Sequence, residues 1–137
     1  MQKKWFAAAA AIVVMAGQAM VATPGMAEGP AVVYDLGGKF DKSFNEAAHN
    51  GAERFTKETG KAYRDFEVQN ASQREQALRN FARRGHNPVV GIGFAQAQAL
   101  EKVAKEFPDT KFAIVDMVVD LPNVRSIVFK EHEGSYL

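Results

Sequence analysis

Acidic, amide and aromatic side chains stand directly after successive apolar runs of this sequence. Asp35, Asn70 and Asp116 follow the first, second and fourth of these runs, and the third run leads into Gly93 and Phe94. Carboxylates and amides accept hydrogen bonds from NH and OH groups, and aromatic rings stack on flat apolar surfaces. Side chains of these types, brought together, would bind a flat ligand that carries NH and OH donors.

The first loop adds a ring and an amide to this set. Residues 35–46 read DLGGKFDKSFNE, so that Phe44 and Asn45 stand where a helix is predicted to begin. Phe44 is also the first member of the apolar stripe of that helix and could instead belong to the core. Asp35 and Asp116 could likewise cap helices or bind loop NH groups, as aspartates after strands often do. For each residue taken singly, the structural and the ligand-binding interpretation both stay open. Only the convergence of several such residues favours a site.

The carboxylates restrict the charge of such a ligand. Bringing a phosphate beside Asp35 and Asp116 without a metal ion or an arginine would leave like charges unbalanced in a partly desolvated site. A nucleoside therefore fits this set of side chains, and a nucleotide does not.

Alternating strand and helix patterns are predicted to position these residues. Apolar or β-rich runs cover residues 31–36, 62–68, 88–92, 111–115 and 124–129, and helical patterns follow the first three. This alternation predicts an α/β fold with an open, mostly parallel sheet and helices on both faces. In such sheets ligands bind outside the carboxyl ends of the strands, so the candidate residues should share one edge.

Helix boundaries carry local signals. Ser43 with Glu46, and Ser72 with Glu75, match the S-x-x-E capping box at the starts of the first two helices. Asp41 is a further candidate cap for the first helix. The predicted helix stops are Gly60, Gly85 and Pro108.

The amino terminus is typical of a secretory signal peptide covering residues 1–27. Lys3 and Lys4 precede an apolar stretch, and small residues favour a cut after Ala27, with Ala22 as a second possible cut site. The apolar stretch is shorter than the roughly 20 residues that a membrane span needs. The chain has no cysteine, and so lacks the lipid-attachment residue of a bacterial lipoprotein. We therefore expect a free periplasmic protein, with no membrane insertion after signal cleavage.

Charge and motif content argue against several functions. The formal charge of +1 becomes −1 once the signal is removed with its two lysines, so the basic patch typical of nucleic-acid binding is missing. His49, His86 and His132 have no metal-ligand spacing. The stretch GIGFAQ has Gln96 where a dinucleotide loop needs its third glycine, and no Walker loop, nucleophile elbow or H-E-x-x-H motif occurs. We expect no metal, no cofactor, no nucleic-acid partner and no enzymatic activity.

Three stretches of the chain resemble one protein family. They read YDLGGKFDKSFNEAAHNGAERF, VVGIGFAQAQALEKVAKEFPDTKFAIVD and NVRSIVFKEHEGSYL. They resemble the basic membrane protein family of ABC-transporter solute-binding proteins, whose best-understood members look like purine nucleoside receptors. The similarity runs from about residue 30 to the end of the sequence, and DKSFN and EGSYL are its most specific elements.

The resemblance implies a periplasmic binding fold in which a nucleoside lies between two lobes. Residues 28–137 would then form most of the amino-terminal lobe of a truncated or partial chain. The family pattern implies that Phe44 stacks on the base, with Asp35 and Asn45 beside it. It also implies that Asp116 binds polar atoms of the ligand.

The remaining implied contacts come from the third loop, where Gly93 and Phe94 would shape the floor of the site. The implied partners are a purine nucleoside, or a related flat neutral solute, and an ABC permease of the inner membrane. An exported ligand-sensing or regulatory domain of the same fold is the alternative function.

Overall fold

The computed structural model describes residues 29–135, in which strands and helices alternate. The strands are β1 Ala31–Tyr34, β2 Arg64–Glu67, β3 Val89–Ile92, β4 Phe112–Val115 and β5 Val124–Ile127. The helices are α1 Phe44–Thr59, α2 Gln73–Arg83, α3 Ala97–Glu106 and the short α4 Glu131–Gly134. A 3-10 turn, Phe94–Gln96, joins β3 to α3. The signal peptide predicted for residues 1–27 lies outside the described residues.

The strands form one sheet in the order β2-β1-β3-β4-β5, and every neighbouring pair is parallel. The predicted α/β fold with an open parallel sheet is confirmed. The last strand, β5, is parallel too, a point that the sequence left undecided. Because all the strands run in one direction, their carboxyl ends lie along a single edge of the sheet.

Helices α2 and α3 cover one face of this sheet and form the main core. Val33 of β1 and Ile114 of β4 pack there with Leu78 of α2 and Leu100 of α3, and none of the four has exposed surface. Burying such a side chain stabilises a fold by roughly 1.5–3 kcal/mol. This face therefore anchors the strands that carry the carboxyl edge.

Helix α1 lies on the opposite face and covers it incompletely. Val32, Tyr34 and Ile92 form a small buried cluster there, and Ala52 of α1 packs against it. A groove of about 1040 Å³ remains between α1 and the sheet. Only Asn45 of α1 is buried, whereas α2 buries four residues.

Strands β1 and β5 each end two residues earlier than the sequence pattern predicts, and β2 ends one residue earlier. β1 stops at Tyr34 because the backbone NH of Asp35 donates to the side-chain oxygen of Asn45 instead of continuing the ladder. β5 stops at Ile127, so that Phe129 belongs to the following loop. The residues freed in this way lie at the carboxyl edge.

The cap of α1 differs from its prediction. Ser43 makes no side-chain cap hydrogen bond; the carboxylate of Asp41 accepts from the backbone NH groups of Ser43, Asn45 and Glu46 at 2.8–3.1 Å. A charged acceptor forms stronger hydrogen bonds than a hydroxyl, and it can serve several NH groups at once. The prediction that Ser43 caps α1 is therefore wrong, and the prediction that Asp41 caps it is confirmed. Glu46 does turn back, accepting from the NH of Lys42 at 3.0 Å.

The capping box predicted for α2 is also wrong. Ser72 makes no cap hydrogen bond, and its hydroxyl donates to the side chain of Asn70 instead. Glu75 pairs with Arg79 and Lys102 rather than with the start of its own helix. Two cations bind this carboxylate, and these ion pairs are stronger than the single backbone hydrogen bond of a capping box.

The helix stops match their predictions. Gly60 and Gly85 follow α1 and α2 with positive φ angles of 71° and 82°, and α3 ends at Glu106, just before Pro108. Within residues 29–135, none of the helices combines the length and the apolar character that crossing a bilayer requires.

Candidate functional site

Asp35, Gly93 and Asp116 lie side by side at the carboxyl edge. They directly follow β1, β3 and β4, which are neighbours in the sheet. The NH of Gly93 donates to the carbonyl of Val115 at 3.1 Å, and the NH of Asp116 donates to the carbonyl of Ile127 at 2.7 Å. The backbone ladder thus continues through Gly93 and Asp116, whereas it ends before Asp35, and the expected placement along one edge is observed.

Gly93 lets the ends of β1 and β3 approach closely. Its φ of 97° lies in the region that favours glycine. A Cβ atom at this position would lie 3.2 Å from Oδ2 of Asp35 and 3.5 Å from the Asp35 Cβ. A side chain at this position would therefore crowd that carboxylate oxygen.

The other oxygen of Asp35 is occupied by an arginine that the sequence reasoning missed. Nη2 and Nε of Arg74 donate to Oδ1 of Asp35 at 2.7 and 3.1 Å. Both side chains are mostly buried, with 14% of Arg74 and 21% of Asp35 exposed. Arg74 stands in the first turn of α2, where the helix dipole disfavours a cation. That position is a sequence signal for an acidic partner, although it does not identify Asp35.

Asn45 lies beneath the same edge and holds the loop that carries Asp35. The residue is 2% exposed. Its NH₂ group donates to the carbonyls of Asp35 and Leu36 at 3.2 and 3.3 Å, and its oxygen accepts from the NH of Asp35 at 3.2 Å. The side chain is thereby engaged with the main chain. This arrangement positions Asp35, and the contact of Asn45 with a ligand stays a prediction.

Aromatic rings stand exposed at the carboxyl edge. Phe44, the first residue of α1, is 36% exposed, and its ring contacts that of Phe129 edge to face. Phe94, after β3, is 66% exposed. The Phe44 ring is therefore not enclosed in the core, as the alternative interpretation required. Phe129 was missed because its stretch of sequence reads as the end of a strand.

Further exposed apolar side chains follow the ends of β4 and β5. These are Met117, Val118 and Val128. Contiguous exposed apolar surface usually marks a site of ligand or protein interaction. The carboxyl edge therefore has the character of a binding surface, in which apolar side chains flank a few polar groups.

The two acids of this edge differ in their charge balance. Asp35 is paired with Arg74, whereas no salt bridge within residues 29–135 involves Asp116. Asp116 has a φ of 72°, which is uncommon for a residue other than glycine. In the described part of the chain, no cluster of three or more histidine or acidic residues is arranged to hold a metal ion. The edge can accept hydrogen bonds and stack flat groups.

A sequence model of one family matches residues 30–137, and that family is described as ABC transporter substrate-binding protein PnrA-like. The chain is 39% identical over 114 residues to the CD4+ T-cell-stimulating antigen of Listeria monocytogenes. It is 35% identical over 112 residues to the ABC transporter nucleoside-binding protein BmpA of Lactococcus lactis. Each alignment covers 78% of this chain and 32% of the relative, so the chain spans about a third of the length of these relatives.

A solved structure supports the same relationship. The ABC transporter solute-binding protein of Aeropyrum pernix K1 superimposes with a TM-score of 0.72 and 34% identity, over 77% of this chain and 29% of that chain. Relatives from three Pyrococcus species carry the name uncharacterized lipoprotein.

Proposed function

Since the chain belongs to the PnrA-like family of ABC transporter substrate-binding proteins, we propose that its carboxyl edge binds purine nucleosides, or related flat neutral solutes, for uptake. The observation that carries the proposal is the convergence of Asp35, Gly93 and Asp116 on adjacent strands, beside the exposed ring of Phe44. The family consists of binding proteins, and we propose that this member likewise catalyses no reaction.

In the proposed complex, the purine base stacks on Phe44. The edge-to-face contact with Phe129 fixes the orientation of that ring, so a flat face stays available. Stacking of a base on an aromatic side chain contributes about 1–3 kcal/mol in nucleic-acid binders. Phe94 and the open position at Gly93 form the floor beneath the ligand.

The polar groups of the ligand meet the acids. Oδ2 of Asp35 and the carboxylate of Asp116 accept hydrogen bonds from NH or OH groups, and Asn45 supports the loop from below. Charge balance disfavours an anionic ligand, because Arg74 already offsets Asp35 while Asp116 adds a negative charge. A phosphate would lie near that acid without a cation to compensate it.

The partner of the loaded protein is an ABC permease of the inner membrane. We propose that the protein reaches the periplasm after cleavage at Ala27 and stays free there, because its sequence contains no cysteine for a lipid anchor. Mass spectrometry of the exported protein should give an amino terminus at Glu28. A lipid adduct, or a retained signal peptide, would contradict this part of the proposal.

Titration calorimetry tests the ligand class. The full-length protein should bind inosine, guanosine or adenosine, and should bind inosine 5′-monophosphate at least about tenfold more weakly, which corresponds to about 1.4 kcal/mol. Binding of a sugar or an amino acid, with no heat from any nucleoside, would refute the proposal. Inosine recovered unchanged after incubation is expected, whereas release of hypoxanthine would show an enzyme.

A further inference from the structure

The two oxygens of Asp35 are in different states. Oδ1 accepts from Nη2 and Nε of Arg74, whereas Oδ2 accepts no hydrogen bond from residues 29–135 and lies against Gly93, where a Cβ atom would come within 3.2 Å of it. We infer that Arg74 is a positioning residue for the ligand: it holds Asp35 so that Oδ2 accepts a hydrogen bond from an NH or OH donor of the solute. This inference rests on the proposed function.

Arg74 is well placed to hold a carboxylate still. It starts from α2, which is anchored in the main core through Leu78 and Phe81. Its two donors reach the same oxygen, and with 14% exposure its guanidinium is mostly shielded from competing water. Hydrogen bonds between charged groups are shorter and stronger than neutral ones. The carboxylate of Asp35 therefore has little freedom to turn.

The backbone of Asp35 is fixed from the other side. Asn45 of α1 bonds both its NH and its carbonyl, so the residue is held between one helix on each face of the sheet. Gly93 completes the arrangement, because any Cβ there would fill the approach to Oδ2. One hydrogen-bond acceptor of a partly exposed side chain is thus left free for the ligand.

The pair also sets the charge of the site. With Arg74 present, Asp35 can be ionised in a mostly buried position without leaving an unpaired charge. Removing Arg74 would release the carboxylate to turn toward solvent, and this change removes the positioned acceptor. Arg74 would therefore influence affinity only through Asp35, without touching the ligand.

A double-mutant cycle on binding tests this directly. Inosine affinity would be measured by calorimetry for the full-length wild type, Arg74→Gln, Asp35→Asn and the double variant. Each single variant should lose roughly 10- to 100-fold, as expected for one hydrogen bond to a charged group. In the Asp35→Asn background, Arg74→Gln should change the affinity by less than about twofold. Arg74→Lys, which keeps the charge but not the paired donors, should recover part of the loss.

Arg79→Gln is the matched control. Arg79 lies on the same helix, is 22% exposed and pairs with Glu75 and Glu106, away from the carboxyl edge. This variant should leave inosine affinity unchanged. If Arg74→Gln lowers inosine affinity equally in the wild-type and the Asp35→Asn backgrounds, Arg74 acts on the ligand or on the fold independently of Asp35. That result would overturn this inference and leave the proposed function standing. A wild type that binds no nucleoside would overturn the proposed function, and this inference with it.

Discussion

The ring of Phe44 meets the ring of Phe129 edge to face, with ring centroids 6.4 Å apart and an interplanar angle of 75°. Phe44 begins α1, and Phe129 follows β5 at the far side of the sheet. The contact therefore joins two separate parts of the carboxyl edge. An edge-to-face arrangement satisfies the ring quadrupoles and leaves a face of Phe44 free for a ligand.

Replacing Phe44 should damage binding much more than stability. Phe44→Ala is expected to weaken nucleoside binding about 10- to 100-fold, because a stacked base is worth about 1–3 kcal/mol. The melting temperature should fall only slightly, since the ring is already partly exposed. Phe66→Ala is the matched control: Phe66 is 38% exposed, against 36% for Phe44, but lies on β2. A large loss of stability with unchanged nucleoside affinity would show that Phe44 acts as a core residue and not as a ligand contact.

Adding a methyl group at Gly93 should harm both stability and binding. Gly93→Ala forces a side chain into a left-handed backbone conformation and places its Cβ 3.2 Å from Oδ2 of Asp35. We expect a loss of about 1–3 kcal/mol in the free energy of unfolding, together with weaker nucleoside binding. Urea unfolding and calorimetry would measure the two effects.

Gly51→Ala provides the opposite result for comparison. Gly51 lies within α1, and a Cβ there would meet no atom within 4 Å. An alanine inside a helix is more stable than a glycine by about 0.5–1 kcal/mol. A Gly93→Ala protein as stable as the Gly51→Ala protein would contradict the close approach at the carboxyl edge.

Acid should weaken the start of α1. Burial opposes ionisation of Asp41, but hydrogen bonds from the backbone NH groups of Glu46, Asn45 and Ser43 outweigh it and hold the pKa of this carboxyl below its ordinary value of 3.8. A lowered pKa in the folded state contributes stability that is present above the unfolded pKa and is lost as pH falls through the folded one. Below about pH 4, the free energy of unfolding of the Asp41→Asn variant should therefore fall less steeply with falling pH than that of the wild type.

The control for this prediction is Asp109→Asn, which changes an exposed acid between α3 and β4. Unfolding of the control should follow the acid limb of the wild type. Identical acid limbs for wild type and Asp41→Asn would show that the carboxylate does not cap the helix.

Alkali should weaken the face of the sheet beneath α1. Tyr34 has no exposed surface, and its burial, with smaller contributions from nearby carboxylates, raises its pKa to about 12. Because the folded pKa lies above the unfolded value of 10.0, the stability is complete below pH 10 and is lost as pH rises toward 12. This loss amounts to about 2–3 kcal/mol. Urea midpoints across this range should fall less steeply for Tyr34→Phe; a slope equal to that of the wild type would refute the assignment.

Features that follow from local pattern were predictable from the sequence. The alternation of apolar runs with helical stripes predicted the parallel sheet, and the rule for carboxyl ends placed Asp35, Gly93 and Asp116 together. Parallel strands leave few choices for where their ends can lie, so these positions did not require any side-chain detail. Strong helix stops such as Gly60 were equally readable, because the left-handed backbone there favours one residue type.

Features decided by competition between distant groups were not predictable. The pairing of Arg74 with Asp35 joins the first turn of α2 to the loop after β1, far apart in the sequence, and either residue had several possible partners. The contact of Phe44 with Phe129 depends on where β5 ends, which a run of apolar residues does not mark. Asp41 caps α1 in place of Ser43, because its charged carboxylate, two residues earlier in the sequence, reaches the NH groups at the start of the helix.

The groove between α1 and the sheet has a consequence for motion. Since α1 buries one residue and α2 buries four, opening α1 costs less free energy, and its amide protons should exchange with deuterium faster than those of α2. Phe44 and Asn45 both belong to this loosely held helix. A solute that rests on Phe44 should therefore slow deuterium uptake along α1 well beyond the residues it touches.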